Sequence, residues 1–371
     1  MLTRFEVKNF KNFSDTLVFD LGQPNSYEFN EECVVDGIVS KAMIYGQNAV
    51  GKSNLGFAML DITTHVTDKF KSEWNYSNYL NADCKCEYAE FKYHFKLKSG
   101  TVVYTYWKSD IETLVYEHLE INGSHYASID RRKDSQLNIS ASGTESLRRD
   151  LSDSIVSIIP YIKNNTVLDR NVDNSCFGEF LGFVEGMLFF RSLEANNYIG
   201  YEQGSTKIDA DIIEKGNTKN FENFLIKAGV DCRLEEVHGD EKPYLVFAFA
   251  DRRIRFFEIA SQGTRALALF YYWLQRLKED NTKVSFVFID EFDAFYHHAL
   301  STVMVELLKE IKPQVILTTH NTSIMTNDLL RPDCYFFIRK NGIQSLSDST
   351  QKELREAHNI EKMYKAGAFN D

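Results

Sequence analysis

Gly46-Gln47-Asn48-Ala49-Val50-Gly51-Lys52-Ser53 decides how this chain is read. The stretch fits the phosphate-binding pattern G-x-x-x-x-G-K-[ST]. Its flanks agree. Ala42-Met43-Ile44-Tyr45 is a short apolar run, as a buried strand should be, and the stretch from Asn54 to Leu60 carries Leu55, Met59 and Leu60 at helical spacing. A strand, a glycine-rich turn and a helix N-terminus make an anion site, because backbone N–H groups converge there and the helix dipole adds positive charge. Gly46, Asn48 and Gly51 belong to that cradle. Lys52 is expected to reach the β- and γ-phosphates and the Ser53 hydroxyl to ligate Mg²⁺. The expected bound species are ATP and Mg²⁺.

A chain of 371 residues, 43% hydrophobic and 26% charged, can bury a substantial core as one large domain or two. Its net charge of −11 argues against a broadly basic nucleic-acid groove. Nucleic acid stays open as a partner, without support from charge. The tightest basic clusters are Arg131-Arg132-Lys133 and Arg252-Arg253 with Arg255, both read as solvated turns. Cys33, Cys84, Cys86, Cys176, Cys232 and Cys334 are scattered and form no C-x-x-C pair, so they read as reduced thiols. No signal core and no membrane-length apolar run is present. The expectation is a soluble cytoplasmic protein with no membrane partner.

Along the chain, Leu2 to Phe10 partly alternates, with Leu2, Phe5 and Val7 inward, and Thr16 to Phe19 gives a second strand. Residues 87–127 read as an antiparallel meander, closed by the hairpin turn Asn122-Gly123. From 142 to 224 the texture turns helical. Leu147, Leu151, Ile155, Ile158 and Ile159 recur at helical spacing, and so do Phe180, Phe183, Val184, Met187 and Leu188. Asn171 to Ser175 and Gly204 to Lys207 read as loops. Val284 to Ile289 and Val315 to Thr319 are apolar enough for parallel strands buried on both faces. Strands alternating with helices around a phosphate loop imply an α/β domain. The division expected is 1–141, an N-terminal lobe; 142–224, a mainly helical insertion; and 225–371, a C-terminal lobe.

Ile289-Asp290-Glu291 ends one apolar strand with two carboxylates, at the edge where α/β sheets bind ligands. Asp290 is read as holding Mg²⁺ and Glu291 as orienting and deprotonating the attacking water. His320 ends the next strand, where it can donate to a γ-phosphate oxygen.

Together these pieces resemble the ABC/SMC-type ATPase head, and more closely the OLD-related AAA-type ATPases of bacterial defence. The resemblance covers both ends of the chain. Asn9-Phe10-Lys11-Asn12-Phe13 is similar to that group's N-terminal N-F-[KR]-x-F, which implies nucleotide contacts from Lys11 and Asn12. Ser261-Gln262-Gly263-Thr264 resembles its shortened signature, S-x-G-T, which implies that Ser261, Gly263 and Thr264 bind nucleotide. Phe292 to His297 follows its D-loop, with Asp293 and His297 matching, and Thr319-His320-Asn321 its switch. Leu330 to Asp333, Leu346 to Asp348 and Ile360 to Phe369 resemble the ends of ATPases in PARIS and RloA-type operons. The fold implied is α/β, an ABC/SMC-like P-loop ATPase head with N-terminal antiparallel β elements and a helical insertion. The partners implied are a second copy in an ATP-dependent two-fold dimer or higher oligomer, a phage trigger protein, and a separate effector of the Toprim nuclease type.

The signature lacks the double glycine of transporter ATPases, and Gln136 is the best-placed candidate for a Q-loop. Three functions compete. A defence or toxin–antitoxin switch ATPase leads. A DNA-repair or chromosome-maintenance ATPase needs a long coiled coil or a basic surface. An autonomous nuclease with an ATPase head needs a Toprim-type acidic cluster after the switch, and the sequence offers none, so no nuclease activity is expected of this chain.

Overall fold

The computed structural model describes residues 1–67, 76–192, 197–201, 208–238, 242–294 and 298–369. The first lobe carries β1 (Leu2–Lys8), β2 (Leu17–Asp20), the short pair β3 (Val34–Val35) and β4 (Ile38–Val39), then β5 (Lys41–Tyr45), α1 (Lys52–Leu60) and α2 (Thr63–Val66). The meander follows as β6 (Ala89–Leu97), β7 (Gly100–Lys108), β8 (Leu114–Ile121), β9 (Ser124–Asp130) and β10 (Asn138–Ile139). Next come α3 (Ile158–Asn165), α4 (Val172–Glu185), β11 (Met187–Ser192), β12 (Asn197–Gly200), α5 (Ile208–Glu214) and α6 (Thr218–Lys227). The last part holds β13 (Leu234–Val237), β14 (Tyr244–Ala248), β15 (Arg253–Arg255), α7 (Phe256–Ile259), α8 (Gln262–Lys278), β16 (Phe286–Ile289), α9 (His298–Lys309), β17 (Gln314–Thr319), β18 (Tyr335–Arg339), β19 (Gly342–Ser345) and α10 (Ile360–Lys365).

Two seven-stranded sheets organise these elements. The first is antiparallel, in the order β10-β9-β8-β7-β6-β1-β2. Its strands alternate buried and half-buried residues, as a sheet with one face on the core should. Phe91 stacks on Tyr106 across β6 and β7 with centroids 4.8 Å apart. Asn122 and Gly123 both take positive φ, as the expected hairpin turn requires.

The second sheet runs β12-β11-β16-β17-β5-β18-β19, and its five inner strands are mutually parallel. Every residue of β5, β16 and β17 is buried, which accounts for their largely apolar sequence. One buried side chain helps to lace the sheets together. Gln314, fully buried, accepts from the Leu2 N–H at 3.0 Å and donates to the carbonyls of Leu2 and Val39, each at 2.9 Å.

The segment 142–224 holds α3 to α5 and most of α6, together with β11 and β12, and differs from the sequence reading at three places. Residues 142–157 form turns rather than a helix. Leu147 and Leu151 are buried there because the chain pairs back on 135–137, with the Leu137 N–H bonded to Arg149 O and the Leu151 N–H to Ser135 O. Asn171 to Ser175 is not a loop: Asn171 caps α4, its side chain accepting from the Asn174 N–H at 2.7 Å. Met187 and Leu188 do not continue α4. Gly186 ends the helix, and the apolar run enters the parallel sheet as β11, beside β16. Gly204 to Lys207 lies outside the described residues. The helix α4 sits between the sheets, Phe180 touching Phe95 and Tyr104 while Phe183 touches Phe95 and Phe286.

Both basic clusters are tied into ion pairs. Arg131 reaches the buried Glu117 at 3.2 Å, Arg132 binds Asp130, and Arg253 binds Glu235. Among the described residues all six cysteines are free, and no helix is long and apolar enough to cross a membrane.

Candidate functional site

The parallel strands deliver their C-terminal ends to one edge, and that edge collects most of the expected residues. The phosphate loop leaves β5, Asp290 and Glu291 leave β16, and His320 leaves β17, which lies between them. Gly51 has φ +116, a conformation side chains rarely adopt, and a Cβ on it would meet Asn12 at 2.4 Å. A Cβ on Gly46 would meet Ile338 at 2.6 Å and Val50 at 2.8 Å. The loop therefore needs glycine at both positions, and it is fastened from outside. Asn12 donates to Val50 O at 2.9 Å and accepts from Asn54 at 2.7 Å. Asn48 is exposed at the loop's turn.

The Lys52 ammonium lies on the loop's own oxygens, donating to Gly46 O at 3.0 Å and Gln47 O at 3.2 Å, and it meets His320 Nε2 at 2.7 Å. With Lys52 as donor, Nε2 is an acceptor and the imidazole proton sits on Nδ1. Burial lowers the Lys52 pKa, opposed by the charges of Glu291 and Asp290.

Asp290 is buried. Its carboxyl pKa is raised by burial and pulled back by hydrogen bonds from Ser53 and Thr318. Thr318 Oγ1 donates to Asp290 Oδ1 at 2.6 Å and accepts from the Glu291 N–H at 2.8 Å. Glu291 turns out of the strand at φ 44, leaving its carboxylate half-exposed and 3.6 Å from His320 Nε2. One residue on, Thr319 Oγ1 donates to Asp293 Oδ1 at 2.7 Å and accepts from the Asn321 N–H at 2.9 Å. Burial raises the Asp293 carboxyl pKa as well. Thr318 and Thr319 thus set the positions of three acidic residues, a role the sequence reading missed. The one available signal is a pair of hydroxyls at the end of a buried strand.

The remaining expected residues are placed differently. Lys11 sits at φ 47, donates from Nζ to Ser77 O at 3.0 Å, and lies 5.7 Å from the centroid of Phe57 on α1. Ser261 caps α8, its Oγ accepting from the Thr264 N–H at 3.2 Å and lying 2.9 Å from the Thr264 hydroxyl. Ser261 is exposed and Gly263 half-buried, and among the described residues no hydrogen bond joins this turn to the phosphate loop of the same chain. His297 lies outside the described residues. Gln136 does not reach the site: it bridges Asp150 beside β10, at the edge of the antiparallel sheet away from β1.

The glycine cradle, the buried Asp290 with the Ser53 hydroxyl, and the lysine resting on carbonyls fit a magnesium–nucleotide phosphate group. A hard oxygen donor set of this kind suits Mg²⁺.

Residues 218–326 match a family model described as "AAA domain, putative AbiEii toxin, Type IV TA system". The match takes in the signature, Asp290-Glu291 and His320, and covers under a third of the chain. No curated protein matches this chain in sequence. Among solved structures it is similar to an SMC head bound to the C-winged helix domain of ScpA, with 16% identity, TM-score 0.47, and 93% of this chain and 97% of that one covered. The SMC head domain from Thermotoga maritima aligns at 12% identity and TM-score 0.41, covering 93% and 98%. The recombination mediator RecF aligns at 14% and 0.41, covering 93% and 98%. At these scores the fold is read from strand order, not from superposition. The chain has an α/β fold with a phosphate-loop motif at the C-terminal edge of a mainly parallel sheet.

Proposed function

We propose that this chain binds and hydrolyses ATP as the switch subunit of an antiviral defence system of the abortive-infection or toxin–antitoxin kind. It senses a phage component and controls a separate effector, a Toprim-type nuclease. The observation that carries the ATPase reading is the convergence of Lys52, Asp290, Glu291 and His320 on one sheet edge beside a glycine-shaped phosphate loop. The defence setting is supported by the description of the family model that matches residues 218–326.

The side chains divide the work. Lys52 leaves the loop carbonyls for the phosphates. Its departure frees His320 Nε2, which must then carry the proton to donate to a γ-phosphate oxygen. Glu291, half-exposed on the strained turn, is placed to take a proton from water. Ser53 and Asp290 would hold Mg²⁺, which neutralises phosphate charge when bound. Ser261 and Gln262 of the capped turn are exposed, as a surface that completes another subunit's site should be. Two such chains would close around two nucleotides with two-fold symmetry.

The test has three parts. Lys52→Ala should abolish ATP binding, and Glu291→Gln should keep binding but lose most turnover. A Ser261→Arg subunit should be inactive alone and regain part of its turnover when mixed with Lys52→Ala, because one composite site is then intact. Co-purification with the product of the neighbouring gene, beside a nuclease assay on this chain alone, tests the division of labour. Wild-type turnover in Glu291→Gln refutes the chemistry. Turnover stimulated by DNA without an effector supports the alternative, an SMC-like DNA-maintenance ATPase.

A further inference from the structure

Arg191 lies at the C-terminal end of β11, on the same sheet edge as the site. Phe189 pairs with Phe288 and Phe190 with Ile289, so the next register position sets Arg191 beside Asp290, whose N–H bonds to Phe190 O at 2.9 Å. Arg191 is also where the pairing of β11 with β12 breaks register, Phe190 opposing Tyr198 and Ser192 opposing Asn197. A bulge of this kind leaves one residue out of the ladder and re-aims its side chain, and such bulges gather beside active sites.

The side chain turns toward α1. Its guanidinium carbon is 5.7 Å from the centroid of Phe57, the ring that Phe189 meets edge-on from the same strand. Lys11 lies over that ring at the same distance. Two cations therefore flank Phe57 on the helix that begins at the phosphate loop. The Lys11 pKa is lowered, first by burial and then by the charge of Arg191. A guanidinium binds phosphate through two parallel donors.

We propose that Arg191 is a further nucleotide-contacting residue, its guanidinium binding the terminal phosphate of a nucleoside triphosphate from the Asp290 side of the site. The inference rests on the ATPase reading above and adds to it a means of telling triphosphate from diphosphate.

The experiment measures affinities for a fluorescent non-hydrolysable ATP analogue and for the matching ADP, with Mg²⁺, on full-length protein. Arg191→Gln should weaken the triphosphate about tenfold or more and the diphosphate by less than about threefold, as loss of a charge-assisted contact implies. Arg191→Lys should recover part of the difference. Unfolding temperatures of both variants, measured alongside, separate any loss of fold from loss of a phosphate contact. Equal weakening of both nucleotides, or none, in a protein whose binding needs Lys52 overturns the inference and leaves the ATPase reading standing. Absence of nucleotide binding by the wild type overturns both.

Discussion

Replacing Thr318 by valine tests how the sheet edge that carries Asp290 and Glu291 is held. The side chain is fully buried, so the nearly isosteric valine keeps the packing and deletes only the hydroxyl. That hydroxyl makes two bonds, a donation to Asp290 at 2.6 Å and an acceptance from the Glu291 N–H at 2.8 Å. A hydrogen bond to a charged group contributes about 1.5–3 kcal/mol, and a part-buried N–H left unpaired costs about 1 kcal/mol, the low end of the range for buried groups. Because the two losses share one atom they will not add fully, and about 3 kcal/mol of destabilisation is expected. The site should suffer too. Glu291 is kept at its unusual φ by that bond, and freeing its backbone should cut turnover about tenfold or more while nucleotide affinity changes less. Urea unfolding and phosphate release read the two effects. Thr318→Ser, which keeps the hydroxyl, should restore most of both. If Thr318→Val unfolds within about 0.5 kcal/mol of wild type and turns over normally, the hydroxyl does not position these carboxylates.

Lys108 and Asp61 form a fully buried ion pair at 3.0 Å. Lys108→Met should destabilise by about 3–5 kcal/mol, and the double variant with Asp61→Asn should recover much of that in a denaturant-based mutant cycle. Lys41 is buried, and burial lowers its pKa from 10.5 to about 8 although it donates to Ser40 Oγ and Pro313 O. Between those values the unfolded chain binds a proton that the folded one lacks, so this group makes stability rise with pH. Relative to Lys41→Met, the wild type should gain up to about 3 kcal/mol as pH climbs through that window. A difference that is flat or falls with pH would contradict the burial argument.

The sequence revealed the elements whose chemistry is local. A phosphate loop is a turn with glycines at fixed places, and the meander announces itself by alternation around Asn122-Gly123. What stayed hidden depended on neighbours far along the chain. Met187-Leu188-Phe189-Phe190 is a short all-apolar run, which as a pattern serves a buried helix or a parallel strand equally well. Gly186 and the partnership with β16 decide the matter. Leu147 and Leu151, four apart, suggested a helix, yet both are buried by a turn packed along 135–137. Thr318 and Thr319 look like ordinary β-branched strand residues until Asp290 and Asp293 are brought beside them. The turn Ser261-Gln262-Gly263-Thr264 was legible as a capped helix start, and Ser261 does cap α8.

The placement of β5 between β17 and β18 sets a timetable for the nascent chain. Leu2 and the glutamine that clasps it are 312 positions apart, so at about 5–20 residues per second the ribosome needs roughly 15–60 s to supply the clasp. During that interval β6 to β9 can zip into hairpins from contacts already synthesised. Lys41 to Tyr45 cannot, because both of its neighbours are still unmade. The phosphate loop thus hangs from an unpaired apolar strand until β17 is made, and a chain stopped before β17 carries the motif without the strands that hold it.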